Sequence, residues 1–275
     1  MRARPLLVAI GLTGVSCASA PPPAPCPCAS EVVVKPAVAP CADRAGDATA
    51  IAQEPGTPRA GDAGDAETMR EAKLGMALLE DPSPQRLEAA AHLAKACDRD
   101  HSGACNDLGW VYATGFGVTP VDEKRARQLY VKACDLGSSL GCLNRGRLSR
   151  ATNAAEAAEF MAKACTAGDE KACEELAGVV AQARNACESG QSPPSCNNWG
   201  YIQEYGLGTK ADAPAAFRLY ESACAKDVGD ACRNAGIVHL EGTAGVAKDP
   251  KLAKARFDQA CKLGNDAACL SASKL

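Results

Sequence analysis

Thiols are the most concentrated reactive groups in this chain: 16 cysteines in 275 residues. A thiol can ligate a metal, attack an electrophile or close a disulfide, and spacing helps to separate these uses. Twelve of the cysteines fall into six pairs: Cys97/Cys105, Cys134/Cys142, Cys165/Cys173, Cys187/Cys196, Cys224/Cys232 and Cys261/Cys269. Five pairs have the form A-C-x7-C, and Cys187/Cys196 has one residue more. Zinc ligation by cysteine favours C-x2-C spacing or histidines close by; these pairs lack that spacing and most have no histidine beside them, so no metal is expected. Counting alone does not fix connectivity. The regular spacing argues for six local disulfides, because a tight turn between antiparallel helices brings two Cα atoms within disulfide reach. Cysteine at this density belongs to an oxidising compartment.

Other chemistry is sparse. The sequence holds one S-x-x-K, Ser271-Ala272-Ser273-Lys274, at its C-terminal end, without the S-D-N or K-T-G partners of a serine β-lactamase. His92, His101 and His239 are isolated and suggest helix-face or loop roles rather than a metal cluster. No G-x-x-x-x-G-K-[ST] loop occurs, and no cofactor is expected. A formal net charge of -3 gives no basic footprint for nucleic acid.

The elements that must carry the cysteines repeat. The interval is 37 residues from Cys97 to Cys134, from Cys187 to Cys224 and from Cys224 to Cys261, the length of a helix-turn-helix unit. Four and eight residues before the first cysteine of a pair stand a large and a small apolar residue: Leu93 and Ala89, Tyr130 and Ala126, Met161 and Ala157, Tyr220 and Ala216, Phe257 and Ala253. Residues four apart share a helical face. Four residues after the second cysteine come Gly109, Gly146, Gly200 and Gly236; Gly178 comes five after Cys173. A glycine inside a helix costs up to about 1 kcal/mol against alanine, so close helix packing is its expected reason. Glycine turns follow from Gly115, Gly206 and Gly242, and Asp122, Asp212 and Asp249 are placed to cap the next helix. Asn153 and Ser83 would cap the units with shorter turns.

Two intervals are short. From Cys134 to Cys165 there are 31 residues, and from Cys165 to Cys187 only 22. The second loses one helix, so residues 172–189 are expected to form one continuous helix in place of a hairpin. That helix would reverse the chain, carry the Cys187/Cys196 bridge to the opposite rim and break the superhelix.

The N-terminal part reads differently. Arg2 and Arg4 precede an apolar run, Leu6 to Val15, too short to span a bilayer as a helix. Val15-Ser16-Cys17 looks like a bacterial lipoprotein signal, with lipid on Cys17 after cleavage; Gly14 departs from that pattern, and cleavage after Ala18-Ser19-Ala20 is the rival. The domain reading is therefore a signal over 1–16, a disordered Ala/Pro-rich linker over 17–66 and a repeat domain over 67–275, interrupted near 172–196. Cys26, Cys28 and Cys41 lie in the linker, as local or adventitious disulfides.

Gly109, Tyr112, Gly115, Gly117, Val118, Ala126 and Tyr130 resemble the Sel-1-like repeat, a relative of the tetratricopeptide repeat, with one extra residue before Asp122. Cysteines in place of its boundary alanines make the chain similar to the exported, cysteine-rich Hcp-type subgroup. The resemblance covers roughly residues 66–275. It implies an all-α, right-handed α-solenoid with local disulfides, preceded by the signal and linker. By analogy with tetratricopeptide units, Asn106, Trp110, Arg147, Asn197 and Tyr201 would face a concave groove, although Trp110 and Tyr201 equally suit packing between repeats. The expected function is a lipid-anchored or secreted scaffold that binds a protein or peptide in the cell envelope, touching membrane only through its anchor. The resemblance also implies a second reading, a β-lactam or peptidoglycan-fragment binder or weak β-lactamase, for which no catalytic motif is found.

Overall fold

A computed structural model describes residues 65–80, 88–116, 120–190 and 192–275. Cys17, Cys26, Cys28, Cys41, Ser83, Gly117 and Val118, together with the signal and most of the linker, lie outside the described residues. The described residues form helices and no strand: α1 (Ala66–Glu80), α2 (Ala89–Asp98), α3 (Ser102–Thr114), α4 (Glu123–Asp135), α5 (Ser139–Ser149), α6 (Ala154–Thr166), α7 (Glu170–Glu188), α8 (Pro193–Tyr205), α9 (Ala213–Cys224), α10 (Gly229–Glu241), α11 (Pro250–Lys262) and α12 (Asp266–Ala272). Sequential helices pack on one another as an α-solenoid. No helix among the described residues is long and apolar enough to cross a membrane.

The helix pattern of the sequence is the packing pattern. Leu93, Tyr130, Met161, Tyr220 and Phe257 are all buried, as are Ala89, Ala126, Ala157, Ala216 and Ala253. Each large residue lies against the glycine of its own hairpin. A Cβ built on Gly109 would sit 2.8 Å from the Tyr130 ring, on Gly146 2.8 Å from Met161 Cγ, on Gly200 2.8 Å from the Tyr220 ring and on Gly236 2.8 Å from the Phe257 ring. Gly75 does the same under Leu93, at 2.7 Å. Gly178 does not belong to this set: only the Arg150 guanidinium comes near, at 3.6 Å. Its helix is not followed by a hairpin partner, so nothing covers it.

Capping fixes where each helix begins. Asp122, Asn153 and Asp212 each accept one backbone N–H of the following turn, and Asp249 accepts two, from Lys251 at 2.9 Å and Leu252 at 3.0 Å. The first helix of several units is capped too, by His101, Ser138, Asp169 and Asn265, each four residues before a cysteine.

Six disulfides close the corners: Cys97–Cys105, Cys134–Cys142, Cys165–Cys173, Cys187–Cys196, Cys224–Cys232 and Cys261–Cys269, with Cα–Cα distances of 4.5–4.7 Å. The third residue after each first cysteine has positive φ. It is glycine at Gly137, Gly168, Gly190 and Gly264, and aspartate at Asp100 and Asp227.

Helix α7 changes the phase of the array. It is one 19-residue helix, with Cys173 in its first turn and Cys187 in its last. At 1.5 Å per residue these cysteines are about 21 Å apart. The three disulfides up to Cys165–Cys173 and the three from Cys187–Cys196 onward therefore lie at opposite ends of the helices. The row of first helices runs α1, α3, α5; beyond α7 the corresponding row is α6, α8, α10. Helix α6 is the second helix of its own hairpin yet packs beside α8 as a first helix. The α8–α9 turn caps the arrangement: Leu207 is buried, and a Cβ on Gly208 would meet Leu176 of α7 at 2.8 Å.

Candidate functional site

The five groove candidates fall into two groups, one on each row. Asn106 and Trp110 (α3) and Arg147 (α5) belong to the first row; Asn197 and Tyr201 (α8) belong to the second. A single groove holding all five does not form, because α7 passes the role of first helix from one layer to the other.

In the first row the polar side chains are spent on each other. Asn106 is buried; its Oδ1 accepts from Asn144 Nδ2 at 2.9 Å, and its Nδ2 donates to Asp107 at 3.1 Å. Arg147 donates to Asn144 Oδ1 at 3.1 Å and grips Glu175 of α7 with Nε and Nη2, the latter at 2.6 Å. This pairing holds the Glu175 carboxyl below the usual carboxylate range. The result is a closed chain of hydrogen bonds across α3, α5 and α7. Trp110 is 37% exposed and its ring lies 4.9 Å from that of Phe116, in a tilted pair.

The second row repeats the amide step. Asn234 Nδ2 donates to Asn197 Oδ1 at 2.9 Å, with Asn197 buried. Tyr201 donates to Glu159 of α6 at 3.2 Å and stacks on Tyr205 at 4.6 Å. Burial, with Glu159 adding, raises the Tyr201 phenol, so it remains a neutral donor. Tyr220 behaves likewise through burial and donates to Glu204 at 2.7 Å. Burial pushes Tyr130 up to about 12.

A groove of about 420 Å³ runs across α6, α8, α10 and α12, with Glu156, Glu159, Asn198, Tyr201, Arg233 and Asn234 in its wall. Arg145 neutralises Glu156, joined by a bond from Ser149, and Lys163 lies 3.2 Å from Glu159. Asp230 accepts from Asn265 at 2.7 Å. A second hollow, about 670 Å³, lies at the rim between the turns near Pro193, Lys226 and Leu263. The walls of the first groove are carboxylates, amides and one guanidinium, which suits a polar main chain with a few charged side chains.

The remaining reactive residues have structural partners. His101 caps α3 through Nδ1. His92 Nδ1 lies 2.5 Å from Glu71, a buried glutamate at the register position where later units carry the second cysteine. His239 packs edge-on to Phe217, with Nε2 3.5 Å from Glu221. Ser271 donates to the Ala267 carbonyl at 3.0 Å. No group of three or more His, Cys, Asp or Glu side chains fit to hold a metal occurs among the described residues.

The Sel1 repeat matches this chain five times, at residues 71–101, 102–138, 140–169, 193–228 and 229–265. The chain belongs to the Sel1 repeat family. The matches skip the stretch occupied by α7, the helix that carries the phase change. Two curated relatives are similar: cytochrome c oxidase assembly factor 7 of Xenopus tropicalis and factor 7A of Xenopus laevis. Each is 26% identical over 195 residues, 70% of this chain and 62% of the relative. The chain thus spans about 62% of the length of the curated relatives it matches. Among solved structures, cysteine rich protein B of Helicobacter pylori is 31% identical, covering 53% of this chain and 91% of that one, with a TM-score of 0.29. A Sel1 repeat protein from Oxalobacter formigenes is 23% identical, covering 74% and 86%, with a TM-score of 0.35.

Proposed function

We propose that this Sel1-repeat chain is an exported scaffold that holds an extended segment of a partner protein in the groove across α6, α8, α10 and α12. The observation that carries this reading is the contrast between the rows: the polar chain of the first is closed, while the second leaves an open groove with unspent amide and guanidinium groups. Export is supported by the six disulfides, which persist in oxidising compartments. It is further supported by the basic-then-apolar start of the sequence, with lipid attachment at Cys17 as the anchor. The cell envelope is then the place of work. The names of the two amphibian relatives, as assembly factors, agree with a protein that holds other proteins.

The test is position-specific photocrosslinking in the exporting cell. A photoreactive residue in place of Asn198, in the groove wall, should yield a discrete adduct. The same residue in place of Lys251, exposed at the start of α11, should not. Equal labelling from both positions, or none from Asn198, refutes the reading. Mass spectrometry of the mature N-terminus tests the lipid: an acylated Cys17 is expected, and a chain that begins elsewhere removes the anchor.

A further inference from the structure

Arg233 stands on α10 in the wall of the groove. Its Nε is closed off from solvent and has no acceptor. The Nε atoms of Arg127 and Arg145 are also unpaired, but their Nη groups reach Glu123 and Glu156. The Arg233 guanidinium has no hydrogen bond or ion pair among the described residues. The side chain as a whole is only partly buried, so an incoming acceptor would meet its Nη groups rather than the enclosed Nε.

The carboxylates of the same groove are in the opposite condition. Glu156 is held by Arg145 and Ser149, and Asp230 by Asn265. Glu159 takes a bond from Tyr201, while its side chain remains 39% exposed beside Lys163. The groove therefore has one vacant positive site and, two helices away, a half-exposed negative one. A polyanion would meet three carboxylates in this wall. A single carboxylate on a neutral backbone would not.

We infer that the groove takes an extended protein segment in which one acidic side chain pairs with Arg233 and a basic side chain lies towards Glu159. The inference rests on the proposed reading of the groove and specifies its occupant. The amides of Asn197 and Asn234, already bonded to each other through one end, retain the other ends for main-chain groups, and Asn198 adds a third amide. Helices two places apart in a row are separated by roughly 18 Å, and an extended chain covers about 3.3 Å per residue. The acid and the base should thus lie about five or six residues apart along the chain, or about four once the reach of their own side chains is subtracted.

The test uses the full oxidised chain with its arginine Nε–Hε groups observed by NMR. The probes are blocked nonapeptides of serine, threonine and alanine carrying glutamate and lysine four residues apart, in both orders, each with a glutamine twin lacking the carboxylate. One glutamate peptide should shift the Arg233 Nε–Hε signal saturably and bind about tenfold or more tightly than its twin, which is 1.4 kcal/mol or more. Arg233→Gln should abolish that preference while leaving the thermal midpoint unchanged. Arg233→Lys should retain part of it and provides the comparison should Arg233→Gln unfold. Equal binding of glutamate and glutamine peptides, a preference that survives Arg233→Gln, or no saturable shift overturns the inference. An Asn198 adduct in cells alongside such a result would leave the groove reading standing and remove only the carboxylate. Loss of both removes the groove.

Discussion

The same substitution, glycine to alanine inside a helix, should change sign between two positions of this chain. At Gly178 an added Cβ meets only the end of the Arg150 side chain, at 3.6 Å, an ordinary contact. Alanine there brings its helix propensity, about 0.8 kcal/mol of stabilisation. At Gly236 the Cβ would stand 2.8 Å from Cδ1 and Cε1 of Phe257, a ring only 1% exposed. Carbon contacts are comfortable near 3.5–4.0 Å, so the ring must retreat by roughly 1 Å. Overpacking of this kind costs about 1–3 kcal/mol, and the propensity gain offsets part of it. Gly236→Ala should therefore lose about 1–2 kcal/mol. For a domain of this size, each kcal/mol moves the thermal midpoint by about 2–4 °C. Circular dichroism melts of the oxidised chain measure both variants, with thiol titration confirming that the six disulfides are intact. A Gly236→Ala midpoint above the parent, or both variants moving the same way, would refute the idea that these glycines exist to let the large residue of the hairpin approach.

Glu204 is half-buried, and desolvation raises its carboxyl above the ordinary glutamate value, with Glu241 adding and the Tyr220 bond opposing. A raised folded-state value means stability is fully present below the unfolded value and is lost as pH rises through the folded one. Glu204→Gln should therefore gain stability over the parent as pH climbs from 4 to 7 in urea titrations, and a constant difference would contradict the assignment. Asp249→Ala removes two capping bonds from α11 and should cost about 1 kcal/mol, seen as faster amide exchange in the first turn of that helix. Replacing both Cys187 and Cys196 by serine should cost about 2.5 kcal/mol by loop entropy and should loosen α7 and α8 together in hydrogen exchange. The same change at Cys261 and Cys269 should fray only α12.

Local rules made much of the fold legible before any coordinates. Cysteine spacing, the pairing of a large residue with a small one, and aspartate after a glycine turn are all set within a few residues of one another. Each therefore survives in sequence whatever the rest of the array does. The caps of the first helices were equally local and could have been found: a polar residue stands four before the second cysteine at His101, Ser138, Asp169 and Asn265. Gly75 was hidden for a different reason. Its marker position holds Glu71 instead of cysteine, because no earlier unit stands there to be bridged among the described residues. Gly178 misled because it stands five rather than four residues after its cysteine and has only the end of Arg150 beside it.

The site was harder to read because it depends on parity. A residue one or five positions after a second cysteine occupies the same place on its own helix in every unit, so Asn106, Arg147, Asn197 and Tyr201 look interchangeable in sequence. Whether such a residue reaches a groove depends on the number of helices between units, and α7 makes that number odd. The same position then has different neighbours. Arg147 finds Glu175 because the next first helix is α7, whose exposed turn carries that carboxylate. On the far side, the place of Arg147 is taken by Ile237 of α10 and that of Glu175 by Ser271 of α12, so the pair is not repeated, and Arg233, one residue after its cysteine, has no carboxylate partner among the described residues. One helix used twice thus completes the polar chain of the first row and leaves that of the second to be completed from outside.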